Sequence, residues 1–194
     1  AHDHRARPLV QQVFIRDFVG HFAAPGLTDG WGTAARFQVI SGMVAVDGAP
    51  DAAALLVCDQ GNACVRRVAS LNLGGLVGPF AGECRSPGSP FSALGSAAFH
   101  APTGRLFVVN HGCVWLVNEG LMTRSNTTFV ACIPDASVTA VAVHPSATYV
   151  RIIAATNVGV YSIRHTYGGA EELPRLLERP AASSSFPFQP PLMF

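Results

Sequence analysis

Residues 55–69, LLVCDQGNACVRRVA, read as an apolar strand, a tight turn and a second strand. Asp59, Gly61 and Asn62 at its centre are turn-forming residues: the Asp and Asn side chains bond nearby backbone, and glycine supplies a positive φ without steric cost. The polar cluster is therefore read as hairpin chemistry and not as a ligand loop. Arg66 and Arg67 are neighbours on a strand and point to opposite faces. At most one joins a given interface, and the other packs its stem between layers.

The hairpin is one element of a repeat. SGMVAVD (41–47), ALLVCDQG (54–61) and CVRRVAS (64–70) are echoed by LGSAAFH (94–100), RLFVVNHG (105–112) and CVWLVNE (113–119). A third round follows in VTAVAVHP (138–145), RIIAATNVG (151–159) and VYSIRH (160–165). Cys64 and Cys113 are 49 residues apart, and Cys113 and Val160 are 47 apart, close to the periods of propeller repeats. Each spacer adds one strand-like run, GLVGPFAG (75–82) and TTFVACI (127–133), giving four strands per unit. β-branched and aromatic residues fill the runs, Gly, Pro, Asn and Asp punctuate them, and no 3.6-residue apolar stripe competes. The chain reads as all-β, a β-propeller of four-stranded blades with about three blades visible.

TDGWGTAARF, GMVAVD and LLVCDQGNACVRRV together resemble the NHL-repeat family: its DG-x-G-x-A-x-F approach, its G-I-A-V-D inner strand and its Y-V-A-D-T-G-N-x-x-I-R-x-V hairpin. Residues 27–69 carry nearly all of this likeness. The second unit loses two residues from its hairpin turn, and the third keeps only the strand rhythm. The resemblance implies a propeller that works by presenting edges and loops to other molecules. Its members include metal-carrying amidating lyases and RNA-binding domains.

Three blades fall short of the 4 to 8 that close a propeller. NHL-like blades are expected over residues 1–165, at about 13–70, 75–119 and 127–165, with the run VFIRDFVGHF (13–22) as the outer strand of a preceding blade. Open blade faces expose apolar area and strand edges. A covering partner is thus expected: remaining blades of one polypeptide, a second copy, or another protein. Residues 166–194 form a Pro/Ser/aromatic tail in which TYGGAEELPRLLERP holds a helical turn or a closing strand. The tail is read either as a disordered end or as a set of anchors, Phe186, Phe188, Leu192, Met193 and Phe194, that insert into a neighbour.

Composition narrows the function. Of 194 residues 49% are hydrophobic and 13% charged, about half the usual charged share, which suits surfaces facing protein or glycan in an assembly. The net charge is +1, and all 13 basic residues are arginines, dispersed from Arg5 to Arg179. Without a basic stripe, nucleic-acid binding is not expected. Without lysine, P-loop, Schiff-base and kinase-type chemistry within this chain is excluded. No apolar run approaches the roughly 18 residues of a spanning helix, so no membrane insertion is expected. The N-terminus AHDHRARP lacks a signal-peptide pattern, and an alanine start is read as a mature form or a piece of a longer protein.

Cys58, Cys64, Cys84, Cys113 and Cys132 contain no CxxC pair, so they are disulfide candidates and not a zinc motif. In an oxidising compartment one of the five is left over; in the cytosol all five would be small buried hydrophobes. The sequon Asn126-Thr127-Thr128 marks Asn126 as a glycosylation candidate and, with the cysteines, tilts localisation to the extracellular or cell-surface side. An intracellular assembly is the alternative.

Catalytic candidates are few. Asp47, His100 and His144 end the inner strand in three successive units, and such a set around an axis is a metal-site candidate. The competing reading is turn chemistry, where the family carries Asp. His111 reads as a turn residue, and His2 and His4 as terminal. No G-x-S-x-G elbow is present, and Glu171-Glu172, the paired carboxylates, are adjacent and solvated. The expected function is a non-enzymatic structural and protein-interaction module needing no cofactor. The rivals are a metal- or small-molecule-dependent propeller enzyme of lyase or hydrolase type using the inner-strand histidines, and an RNA-binding NHL domain.

Overall fold

The computed structural model describes residues 17–46, 53–117, 127–145 and 149–166. Among them the chain is all-β, with no α-helix, and its strands form three antiparallel sheets. Each strand-like run identified in residues 41–165 is a strand. Sheet 1 has the order β1-β5-β4-β3-β2, from β1 (Gly30–Trp31), β2 (Ile40–Val46), β3 (Ala54–Asp59), β4 (Cys64–Ala69) and β5 (Leu76–Ala81). Sheet 2 runs β6 (Leu94–His100), β7 (Arg105–Asn110), β8 (Cys113–Val117), β9 (Thr127–Cys132), and sheet 3 runs β10 (Val138–Pro145), β11 (Tyr149–Thr156), β12 (Val160–Thr166). The outer strands β5 and β9 therefore complete the sheet before them. The repeating units fall at residues 40–81, 94–132 and 138–166, with β1 added beyond β5, so the expected boundaries at 70/75 and 119/127 separate strands that pair.

The repeat seen in sequence is also a repeat in hydrogen-bond register. The first strand of each unit opens opposite the end of its second: Ile40 faces Asp59, Leu94 faces Asn110 and Val138 faces Thr156. A register shift follows immediately in all three, between Ile40 and Gly42, Leu94 and Ala97, and Val138 and Ala140. The outer strands share a second shift, between Val65 and Arg66 against β5 and between Val114 and Trp115 against β9. Bulges bend and twist a strand at a defined point, so the units carry the same curvature in the same place.

The sheets stack through their first strands. Ser41 Oγ donates to Gly95 O at 3.1 Å, joining β2 to β6, and Val141 N donates to Ser96 Oγ at 3.4 Å, joining β10 to β6. A Cβ on Gly42 would lie 2.9 Å from Gly95 O and 3.1 Å from Ser96 Cα, so β2 and β6 approach backbone to backbone where only glycine fits. Between sheets 1 and 2 lies a layer containing Leu56, Cys58, Val65, Leu94, Leu106, Val108 and Val117. Between sheets 2 and 3 lies another with Phe107, Val109, Val114, Leu116, Val141, Ile152 and Ile163. Sheet 2 is thus buried on both faces, which explains why RLFVVN is almost continuously apolar. Leu106 and Phe107, both fully buried, enter opposite layers, and truncating either to Ala costs about 2–5 kcal/mol.

The far face of sheet 1 departs from expectation. Ala35, Phe37 and Val19, from the segment before β2, pack on Val57, Val68 and Val77. The chain's own residues 18–37 therefore cover the outer part of a face that was expected to await a partner. The run 13–22 is not an outer strand in its described part: residues 17–22 are irregular, and residues 13–16 lie outside the described residues. The strand that pairs with β5 is instead β1, with Gly30 opposite Val77 and Trp31 opposite Leu76.

Candidate interaction surfaces

The polar hairpin is the anchor of this N-terminal cover. Asp59 and Asn62 are fully buried. Asp59 Oδ1 accepts from Gln38 N at 2.9 Å, and its Oδ2 accepts from Asn62 Nδ2 at 2.7 Å and from Arg66 Nη1 at 3.3 Å. Asn62 Nδ2 also donates to Gly26 O at 2.8 Å, while its Oδ1 accepts from Arg85 Nε at 2.8 Å. Arg66, 0% exposed, donates to Thr28 O at 2.7 Å, to the Arg36 carbonyl and to Asp29 Oδ1 at 2.5 Å, with Phe37's ring centroid 4.6 Å from its guanidinium carbon. A buried guanidinium needs such paired and hydrogen-bonded surroundings.

These contacts bear out a structural hairpin and correct its details. Asp59 reaches across to Gln38 and Asn62 to Gly26, so the side chains tie distant backbone as well as each other. The left-handed residue is Ala63 (φ 55°, ψ 41°), not Gly61. Gly61 is required because a Cβ there would collide with the Gln38 carbonyl oxygen. Of the two arginines, Arg66 is the buried one and Arg67 is exposed.

The second unit repeats the arrangement with an uncharged residue. Asn110, buried, accepts from Ala93 N at 3.1 Å and donates to Pro90 O at 2.7 Å. His111 (φ 51°) and Gly112 (φ 69°) make the tight turn, consistent with the turn role expected of His111. Beside it is an open hollow of about 380 Å³ lined by His111, Gly112, Asp135, Ser137 and Asn157. Ser92 Oγ sits 2.6 Å from His111 Nε2.

Of the three inner-strand candidates, two lie among the described residues. His100 is buried with Nδ1 2.7 Å from Thr103 Oγ1, and burial, then the Arg105 charge, hold its pKa below 6.5. His144 is exposed on sheet 3, and Asp47 lies outside the described residues. Among the described residues no group of three or more His, Cys, Asp or Glu is placed to hold a metal. Asn126 and the tail residues Phe186, Phe188, Leu192, Met193 and Phe194 also lie outside them.

Two disulfides staple equivalent places. Cys64–Cys84 ties the start of β4 to the connection after β5, and Cys113–Cys132 joins directly opposed residues of β8 and β9. Cys64 and Cys113 both open the third strand of their unit. Cys58 is the leftover thiol, buried between sheets 1 and 2, where burial pushes its pKa up to about 12. Bonded pairs of this kind fit an oxidising compartment. No helix of the described residues is long and apolar enough to cross a membrane.

Among the apolar surfaces exposed in the described residues, two lie on the sheets at the ends of the stack. Ile40 and Met43 of β2 are 51% and 63% exposed and Val39, just before it, 62%, beside the N-terminal cover. On sheet 3, the face turned away from the core presents Ala140 and Ala142 of β10, Ile153 and Ala155 of β11, and Val160 of β12, the last 72% exposed. The same face carries His144, Arg151 and Arg164. Comparison with protein-family models, curated proteins and solved structures finds no match to this chain.

Proposed function

We propose that the chain is a run of three NHL-type β-propeller blades that works by binding protein, as a non-enzymatic component of a larger extracellular assembly. The observation that supports this reading is the stack itself: bulges shared at the same place and first strands packed side by side suit blades set around an axis, and such a stack ends in a face. The far face of sheet 3 offers an apolar strip of Ala140, Ala142, Ile153, Ala155 and Val160 beside His144, Arg151 and Arg164. Met43, with Val39 and Ile40, offers the corresponding apolar strip at the other end. The two disulfides favour an oxidising location, and the sequon at Asn126 fits the same setting.

A test compares the wild-type chain with Ile153→Asp in native source material by size exclusion with mass detection. The reading expects the wild type in a particle heavier than the chain and the variant, folded by circular dichroism, released from it. Identical particle masses for the two would contradict it.

A further inference from the structure

The connections between sheets differ in length, and the difference leaves one turn of the repeat uncovered. Residues 82–93 lead from β5 to β6, whereas only residues 133–137 lead from β9 to β10. The longer connection is tied down over the first unit's hairpin turn. Arg85 N donates to Asn62 O at 2.7 Å, Arg85 Nε to Asn62 Oδ1 at 2.8 Å and Arg85 Nη2 to Gln38 Oε1 at 2.9 Å. Ser89 Oγ donates to the Ala63 carbonyl, and the Pro90 carbonyl accepts from Asn110 Nδ2 of the next unit at 2.7 Å. The shorter connection spends its residues on the crossing itself, and the open hollow beside His111 and Gly112 lies next to it.

Register identifies the corresponding side chains. Ala81 and Ala131 face Val65 and Val114, the second residues of β4 and β8, and four residues beyond them stand Arg85 and Asp135. Both are left-handed, with φ 58° and 57°. Two residues before the cysteines that open β4 and β8 stand Asn62 and His111, and two before Ile40 and Leu94 stand Gln38 and Ser92. Gln38, Asn62 and Arg85 of the first unit thus correspond to Ser92, His111 and Asp135 of the second. In the first unit the arginine bonds both of its partners. In the second, Ser92 Oγ and His111 Nε2 meet each other at 2.6 Å, and the third member is a carboxylate. The ion pairs among the described residues are those of Arg66 with Asp29 and Asp59. Asp135, exposed, therefore brings an unpaired negative charge to a hollow that Ser137 and Asn157 also line. Where the first unit supplies its own guanidinium, the second offers an acceptor for one.

We propose that this hollow binds an arginine side chain on a loop of a partner protein, the loop lying over the second turn as residues 85–90 lie over the first. Its guanidinium pairs with Asp135, and the planar fork of donors finds further acceptors in the Ser137 hydroxyl and the Asn157 amide oxygen. The volume of about 380 Å³ falls within the range of small-ligand pockets, about 300–1,000 Å³. This site is separate from the apolar surfaces at the ends of the stack and does not depend on them.

The first connection supplies the probe. Acetyl-RSPGSP-amide, the sequence of residues 85–90, is titrated into the full, oxidised, isotope-labelled chain, with the same peptide carrying citrulline in place of arginine as the uncharged control. The expected result is a set of saturable amide shifts centred on residues 111–113, 135–137 and 157, with a Kd below about 10 mM. The citrulline peptide and Asp135→Asn each weaken binding about fivefold or more. Asn adopts the left-handed conformation as Asp does, so this variant keeps the turn. Asp135→Arg, which gives the second unit the side chain that the first carries, abolishes binding, and Glu83→Gln, at an exposed carboxylate outside the hollow, leaves it unchanged. With the wild-type chain alone, an absence of saturable shifts, shifts centred elsewhere, or equal affinity for the citrulline peptide overturns the proposal. Equal affinity in Asp135→Asn overturns it as well, and each of these results leaves the surfaces at the ends of the stack as they were.

Discussion

Removing the Asp59 carboxylate should detach the N-terminal cover from sheet 1. In Asp59→Ala the Arg66 guanidinium stays fully buried and loses one of its two carboxylates, while the Gln38 amide and one Asn62 donor bond lose their acceptor. Breaking a buried pair by deleting one partner costs about 3–5 kcal/mol. Asp29→Ala is the internal comparison: Asp29 is 53% exposed, its charge is screened by solvent, and Arg66 keeps Asp59 and two backbone acceptors, so about 1 kcal/mol is expected. For a domain of this size each kcal/mol moves the melting temperature by about 2–4 °C. Equilibrium urea unfolding at pH 7 measures both variants, and trypsin cleavage after Arg36, which lies within the cover, reports local release. An Asp59→Ala cost no larger than that of Asp29→Ala, or unchanged cleavage at Arg36, would refute the reasoning.

Peptide mapping without reduction should return Cys64–Cys84 and Cys113–Cys132 and one alkylatable thiol, Cys58, reactive only in denaturant. Reduction should cost about 2–4 kcal/mol per bridge, seen as a lower urea midpoint. Gly42→Ala, which drives a methyl group against Gly95 and Ser96, should cost about 1–3 kcal/mol, whereas Gly78→Ala, with nothing within 4 Å of the added carbon, should be close to neutral in the same assay. His100 and His165 are both held below 6.5, by burial first and Arg105 second. The unfolded chain therefore takes up protons that the native chain refuses, so stability is full above the unfolded value and falls as pH drops through 6.5 toward the native values. Urea midpoints at pH 8 and pH 5.5 test the sign, and His100→Gln should flatten the difference.

The strands and their repeat were legible because alternation, β-branching and turn residues are local properties, and β2–β5, β6–β9 and β10–β12 each pair with their neighbours in sequence. What pairs over distance was not legible. Nothing local to Asp59 says that its acceptor oxygen serves Gln38, nor that Arg66 lies beneath residues 28–37 while Arg67 is exposed. Gly61 reads as a turn glycine, yet its requirement is the Gln38 carbonyl pressed against it, and Ala63 bears the left-handed conformation instead. Five cysteines announce a leftover thiol, but only the register of β8 with β9 shows that Cys113 meets Cys132. The cover formed by residues 18–37 was missed because its apolar residues, Val19, Ala35 and Phe37, have no period and so mimic a loop.

A photo-crosslinking side chain placed in turn at Met43, at Ile153 and at Arg67 tests the central claim most directly, on the folded, oxidised chain in its native source material. Positions 43 and 153 lie on the uncovered ends of the stack, and 67 is an exposed control on an outer part of sheet 1. Covalent protein adducts at 43 or 153, well above those at 67, are the predicted outcome. Adduct yields at both end positions no higher than at the control would contradict the account.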